Sequence, residues 1–199
     1  SVIGNSHISG NIPCQDANEV YQHPKFSICV VCDGAGSCSH SDLGAKIVSN
    51  ASKFHFNKLV RKHKWHLKGN IPSLNVWHKH AKTTLLKIKK DLYNYSISED
   101  LEFKSLSCTV IVIVVLESGI LATHIGDGRA GYCNVKNEWY SLINPFRGEL
   151  ANQTVFITSD ICFRIRYYLI SFLLKSYAFE CCITNAYCAL VRKSSYFAI

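Results

Sequence analysis

The chain has 199 residues, 48% of them hydrophobic and 18% charged, with a formal charge of +8. That length and balance exclude a disordered chain and are enough for one domain to bury a substantial core without disulfide help. Ten cysteines, several inside apolar runs (Cys29, Cys32, Cys108, Cys181, Cys182), read as small buried hydrophobes of a reducing compartment and not as a secreted disulfide framework.

In chain order, Ser1 to Gly10 shows neither a charged leader region nor an apolar one, so no signal peptide is predicted, although the chain lacks a starting Met. Phe26 to Cys32 reads as a short strand of apolar and β-branched residues, ended by Asp33-Gly34. From Ser41, a candidate N-cap, to about Val60, the apolar residues Leu43, Ile47, Ala51 and Phe54 recur at helical spacing. A second helix follows Pro72 and the capping candidate Ser73, with Leu74, Trp77, Ala81, Leu85, Ile88 and Leu92 stepping by three or four.

The period then changes. "CTVIVIVVL", Cys108 to Leu116, is continuously apolar, which predicts a strand covered on both faces. Ile120 to Ile125 is its return strand, and "GDGR" turns the chain into Ala130 to Val135, giving an expected three-stranded antiparallel meander. Thr154 to Thr158 and Phe179 to Thr184 are further strand candidates. "YYLISFLL" is far short of the roughly 20 residues of a membrane span. No repeat or linker divides the chain, so residues 1–199 are expected to form one α+β domain.

Three aspartates stand at turns or strand ends: Asp16 after "IPCQ", Asp33, and Asp127 in "IGDGR". Asp-Gly is a common turn pair. Three carboxylates at one end of a sheet, however, form a hard oxygen donor set that suits Mg²⁺ or Mn²⁺, and flanking glycines allow close approach of a backbone carbonyl or a substrate.

The motifs "HISGNIPCQDA", "VVCDGAGS" followed by "GAKIVS", "SCTVIVIVV", "HIGDGRAGY" and "GELANQTVFITSD" resemble, in order and spacing, those of the metal-dependent serine/threonine protein phosphatases of type 2C, in a bacterial-like branch. The resemblance runs from about Gly4 to Asp160. It implies a four-layer αββα sandwich, two antiparallel sheets flanked by helices, with two or more Mn²⁺ or Mg²⁺ ions in a cleft at one end. Asp33 would bridge two ions, the Gly34 carbonyl would complete one coordination sphere, Asp16 would hold metal-bound waters, and Asp127 would help bind a further ion. The implied reaction is hydrolysis of phosphoserine or phosphothreonine in a phosphoprotein, by a metal-bridging hydroxide in line with the leaving oxygen. A cytoplasmic enzyme without nucleic-acid or membrane partners is expected.

The pattern breaks in places. Thr184-Asn185-Ala186 stands where the family places a Ser/Thr-Asp-Gly metal segment; Ser159-Asp160 comes too soon after its strand motif to fill that role. Asparagine keeps a carbonyl oxygen but loses the charge, which weakens binding of a second ion. The phosphate-binding arginine expected before Asp16 is absent: Asn11 lies nearest, with His7 or Arg129 as stand-ins. From Ile161 the chain departs from the family and reads as truncated or divergent. The alternative is therefore a catalytically impaired member kept as a regulatory or phosphoprotein-binding module. Cys29 and Cys32, three apart on a strand, point to opposite faces and do not make a shared metal site. Cys38 and His40 offer only half a zinc site. The basic runs "RKHKWHLK" and Lys79 to Lys90 read as solvated helix faces.

Overall fold

The computed structural model describes residues 8–9, 13–134, 138–143, 154–160, 166–171, 177–183 and 186–190. Among the described residues, nine strands form two sheets, and two long helices cover one of them. The first sheet contains β1 (Asp16–His23), β2 (Phe26–Asp33), β3 (Val110–Leu116), β4 (Gly119–Ile125) and β7 (Arg166–Ser171), in the order β1-β2-β3-β4-β7 with every described pairing antiparallel. The second contains β5 (Ala130–Asn134), β6 (Trp139–Ile143), β8 (Tyr177–Ile183) and β9 (Ala186–Leu190), in the order β6-β5-β8-β9.

β2 and β3 are buried almost throughout, and the pleat divides their side chains between two cores. Phe26, Ile28, Val30 and Cys32, with Val110, Val112, Val114 and Leu116, face the helices. Cys29 and Val31, with Ile111, Ile113 and Val115, face Ala130, Leu142 and Ile143 of the second sheet. Cys29 and Cys32 thus belong to different cores, as their spacing requires. The layers run helices, sheet, sheet; this is the expected α+β class with antiparallel sheets, and a fourth, helical layer is not seen among the described residues.

Helix α1 (Ser41–Lys62) and helix α2 (Leu74–Ser98) supply the outer layer. Ser73 caps α2, its hydroxyl accepting from the Val76 N–H at 3.4 Å, and Trp77, Ala81, Leu85, Ile88 and Leu92 are buried as their periodicity predicts. Each fully buried large apolar side chain is worth about 1.5–3 kcal/mol, so this stripe alone fixes α2 on the sheet.

Four expectations are corrected. Ser41 is the first residue of α1 and not its cap: His40 occupies the cap position with no side-chain cap bond, its N–H donating to the Ser105 carbonyl and its ring meeting the Ser105 hydroxyl. Phe54 is 61% exposed, because the buried face of α1 runs through Ala45, Val48, Ser52, Phe56 and Leu59, about half a turn away. Thr154 to Thr158 is a turn segment and not a strand; the Ile157 N–H donates to the Cys108 carbonyl at 2.9 Å. β3, β4 and β5 do not form a meander either. After β4 the chain leaves the first sheet, and β5 pairs with β6 and β8, since the second face of a wholly apolar β3 needs a covering layer. β1, β6, β7 and β9 are strands that the sequence pattern did not reveal.

Among the described residues, no helix is long and apolar enough to cross a membrane.

Candidate functional site

The antiparallel order brings the start of β1, the end of β2, the start of β3 and the end of β4 to one edge of the first sheet. Asp16 opens β1 and Asp33 closes β2, and they are direct cross-strand partners. Two carboxylates in that relation repel each other.

The backbone holds them there. The Asp33 N–H donates to the Thr109 hydroxyl at 3.3 Å, and the Thr109 N–H returns a bond to the Asp33 carbonyl at 2.8 Å. The Gly34 N–H donates to the Gln15 carbonyl at 3.1 Å and the Ala35 N–H to the Ser107 carbonyl at 2.9 Å. A Cβ at position 34 would stand 2.7 Å from the Gln15 oxygen and 2.9 Å from the Ser41 oxygen, so only glycine lets α1 and the β1 entry close on this turn.

Asp127 comes to the same edge by way of the exit from β4. Gly126 has φ +114°, and a Cβ there would meet the Thr109 methyl at 2.6 Å; glycine is the residue that turns the chain from one sheet to the other over Thr109. Asp127 itself is exposed and accepts a hydrogen bond from the Thr154 hydroxyl at 3.1 Å. The 154–160 segment is tied down by a 2.6 Å bond between the Ser107 and Thr158 hydroxyls and by Lys89 Nζ donating to the Ser159 carbonyl.

Electrostatics connect the three aspartates. Burial, then the charge of Asp16 and a hydrogen bond with it, then the charge of Asp127, push the Asp33 carboxyl up to about 7. Without a cation the pair keeps a proton near neutral pH. An all-oxygen donor set that retains a proton because burial and then neighbouring negative charge disfavour its ionised form suits a hard divalent cation, which would replace that proton. Among the described residues no three His, Cys, Asp or Glu side chains form a ready metal cluster; the close donors are the Asp16 and Asp33 pair, with Asp127 a further charge.

Of the residues singled out in the sequence, Asp16, Asp33, Gly34 and Asp127 therefore share one edge. Arg129 is exposed beyond Asp127, and Asp160 is exposed at the end of the 154–160 segment. His7, Asn11, Thr184 and Asn185 lie outside the described residues. Sequence reasoning missed Thr109 and Thr154, which position Asp33 and Asp127. A polar residue interrupting "CTVIVIVVL" was the available signal for Thr109; nothing local marked Thr154.

A protein-family profile described as "Protein phosphatase 2C" matches residues 3–171. Serine/threonine-protein phosphatase 3 of Escherichia coli (strain K12) is 30% identical over 166 residues, which cover 80% of this chain and 61% of that protein; the chain thus spans less than two thirds of this curated relative. Among solved structures, a bacterial serine phosphatase superposes with TM-score 0.61 at 17% identity, covering 84% of this chain and 72% of the other. RsbX in complex with magnesium gives TM-score 0.54 at 12% identity, covering 85% and 65%. These two likenesses show a shared fold.

Proposed function

Because the chain belongs to the protein phosphatase 2C family, we propose that it hydrolyses phosphoserine and phosphothreonine monoesters of proteins, with Asp16, Asp33 and Asp127 as its metal-binding carboxylates. The observation that carries this reading is Asp33, set across a ladder from Asp16 and raised in proton affinity by burial and then by the charge of Asp16. Two partly buried carboxylates set against each other are costly above neutral pH unless a cation offsets them.

Asp33, Asp16 and the Gly34 carbonyl would hold the ions, two or more of Mg²⁺ or Mn²⁺, with Asp127 attracting a further one; the magnesium in the RsbX structure supports the choice of a hard cation. When bound, the cations supply positive charge that activates water and draws electron density from the phosphoryl oxygens. The protein's own contribution is placement. Thr109 and Gly34 fix the Asp33 backbone, and Thr154 orients the Asp127 carboxylate. In the overall reaction a water oxygen forms the new bond to phosphorus, the ester P–O bond breaks, and the leaving serine or threonine oxygen ends protonated.

The test is hydrolysis of p-nitrophenyl phosphate and of a phosphothreonine peptide, with Mn²⁺, with EDTA and with Asp33→Asn. Turnover that needs Mn²⁺ and Asp33 is expected; turnover indifferent to both would remove the reading. One sequence observation favours a second reading. Thr184-Asn185-Ala186 stands at the family's metal segment, which suits an impaired member acting as a phosphoprotein-binding module; metal binding without turnover would select it.

A further inference from the structure

The pole of the first sheet opposite the aspartates carries a different chemistry. The β1–β2 hairpin turns there at Pro24-Lys25, roughly 25 Å from Asp33 for an eight-residue strand. The C-terminal half of α1 lies beside it. Along that half an open, shallow depression of ≈ 600 Å³ is lined by Phe54, Asn57, Lys58, Arg61 and Lys62, residues spaced three and four apart and therefore one helix face.

Three properties set this depression apart from a solvated charge run. First, Arg61 is held: its Nε donates to Asn57 Oδ1 at 2.9 Å, a terminal nitrogen donates to the Tyr21 hydroxyl, and its carbon lies 5.9 Å from the Tyr21 ring centre and 5.8 Å from that of Phe26. A guanidinium has five N–H donors. Two are spent on neutral groups, so a fork of donors is pre-oriented and meets no carboxylate.

Second, the cations are uncompensated. The two ion pairs among the described residues are Lys53 with Glu19 and His55 with Asp91, and neither takes Lys58, Arg61 or Lys62. The field reaches the hairpin: desolvation, then the charges of Arg61, His66 and Lys25, hold the His23 imidazole below its usual range.

Third, the depression has an apolar end. Phe54, on the same helix face, is 61% exposed. A nucleic acid would want stacking rings spaced along a cationic track. A membrane surface would want a broad apolar face. One aromatic side chain beside a fixed arginine and two free lysines fits instead a short polypeptide with an apolar residue among carboxylates.

We propose that this depression is a docking site for an acidic segment of the partner polypeptide, in which an apolar side chain packs on Phe54 and carboxylates engage Arg61, Lys58 and Lys62. That the segment belongs to a phosphoprotein substrate rests on the phosphatase reading; the depression's affinity for it does not.

The experiment is fluorescence anisotropy with the full chain and a labelled, unphosphorylated ten-residue peptide of Asp and Glu around a central Leu. Binding is expected that weakens about tenfold or more with Lys58→Glu/Lys62→Glu, weakens with Arg61→Gln and with Phe54→Ala, and falls as salt rises. Turnover of p-nitrophenyl phosphate by the lysine variant is expected to stay unchanged. Lack of peptide binding at low salt overturns the proposal, as does binding indifferent to all these substitutions. Parallel titrations with single-stranded DNA and with phosphatidylserine vesicles identify the other occupants; capture of either at this face in place of the peptide also overturns it. Because the peptide carries no phosphate, a catalytically silent chain would still report the docking site.

Discussion

Asp16 and Asp33 face each other across the first ladder, one at the entry of β1 and the other at the exit of β2, close enough for their carboxyls to share a proton. From that relation follow the expected responses of this edge to pH, to a divalent cation and to substitution.

The metal-free protein should lose stability as pH rises. The folded Asp33 carboxyl titrates at about 7 and the unfolded one near 3.9. Between about pH 4 and pH 7 the native state therefore binds more protons, and unfolding free energy falls with rising pH across that window. Asp33→Asn removes the repulsion. In EDTA at pH 8 the variant should be more stable by about 1–2 kcal/mol, discounted for the site's partial exposure to solvent, and the gain should vanish near pH 4. Urea melts at the two pH values measure it; a variant less stable at pH 8 would contradict the assignment.

Metal binding should expel that proton. Mn²⁺ affinity is expected to climb with pH up to about 7 and then level off, with about one proton released per binding event below that point. Calorimetry in buffers of different ionisation enthalpy reads the proton count directly. Asp33→Asn should lose the affinity altogether.

Gly34→Ala should be destabilising by about 1–3 kcal/mol, since its Cβ meets two backbone oxygens that no side-chain rotation can move. Thermal melts of the metal-free protein test this independently of activity. A neutral result would mean that α1 and the β1 entry can separate at little cost.

Asn185→Asp is expected to raise Mn²⁺ affinity about tenfold or more by restoring a formal charge to the family's metal segment. Calorimetry that showed no change would refute the placement of Thr184-Asn185-Ala186 at the ion site.

Trp77→Phe should cost about 2–3 kcal/mol. The indole is fully buried, and its Nε1 donates to the Ala122 carbonyl at 3.0 Å, so the smaller ring leaves both a void and a carbonyl that has lost a donor. Denaturant melts check it.

The convergence of the candidate residues on one edge was legible because the signals were local. An apolar strand ending in Asp-Gly, and a glycine-bracketed aspartate after a return strand, each announce a carboxylate at a strand end, and their order in the chain carried the family resemblance. β1 escaped notice because "DANEVYQH" alternates weakly, its residues being half-buried under α1. The course of β5 was misjudged for a different reason. Turn chemistry tells where the chain reverses but not which sheet receives it, and that choice was made by the bare second face of β3. Phe54 was misplaced because Gly44, Ser49 and Ser52, small rather than apolar, complete the buried stripe of α1 and do not register in a hydrophobic count.

The turn through Gly126 has one more implication. Asp33 rides on the first sheet, while Asp127 sits on the thread that leaves it for the second. Any slip of one layer against the other stretches the gap between these two side chains, so the interlayer packing of Ile111, Ile113 and Leu142 acts as a spacer gauge. Substitutions of Leu142 or Ile143, on the second-sheet side of that seam, should retune ion occupancy without altering a proposed ligand.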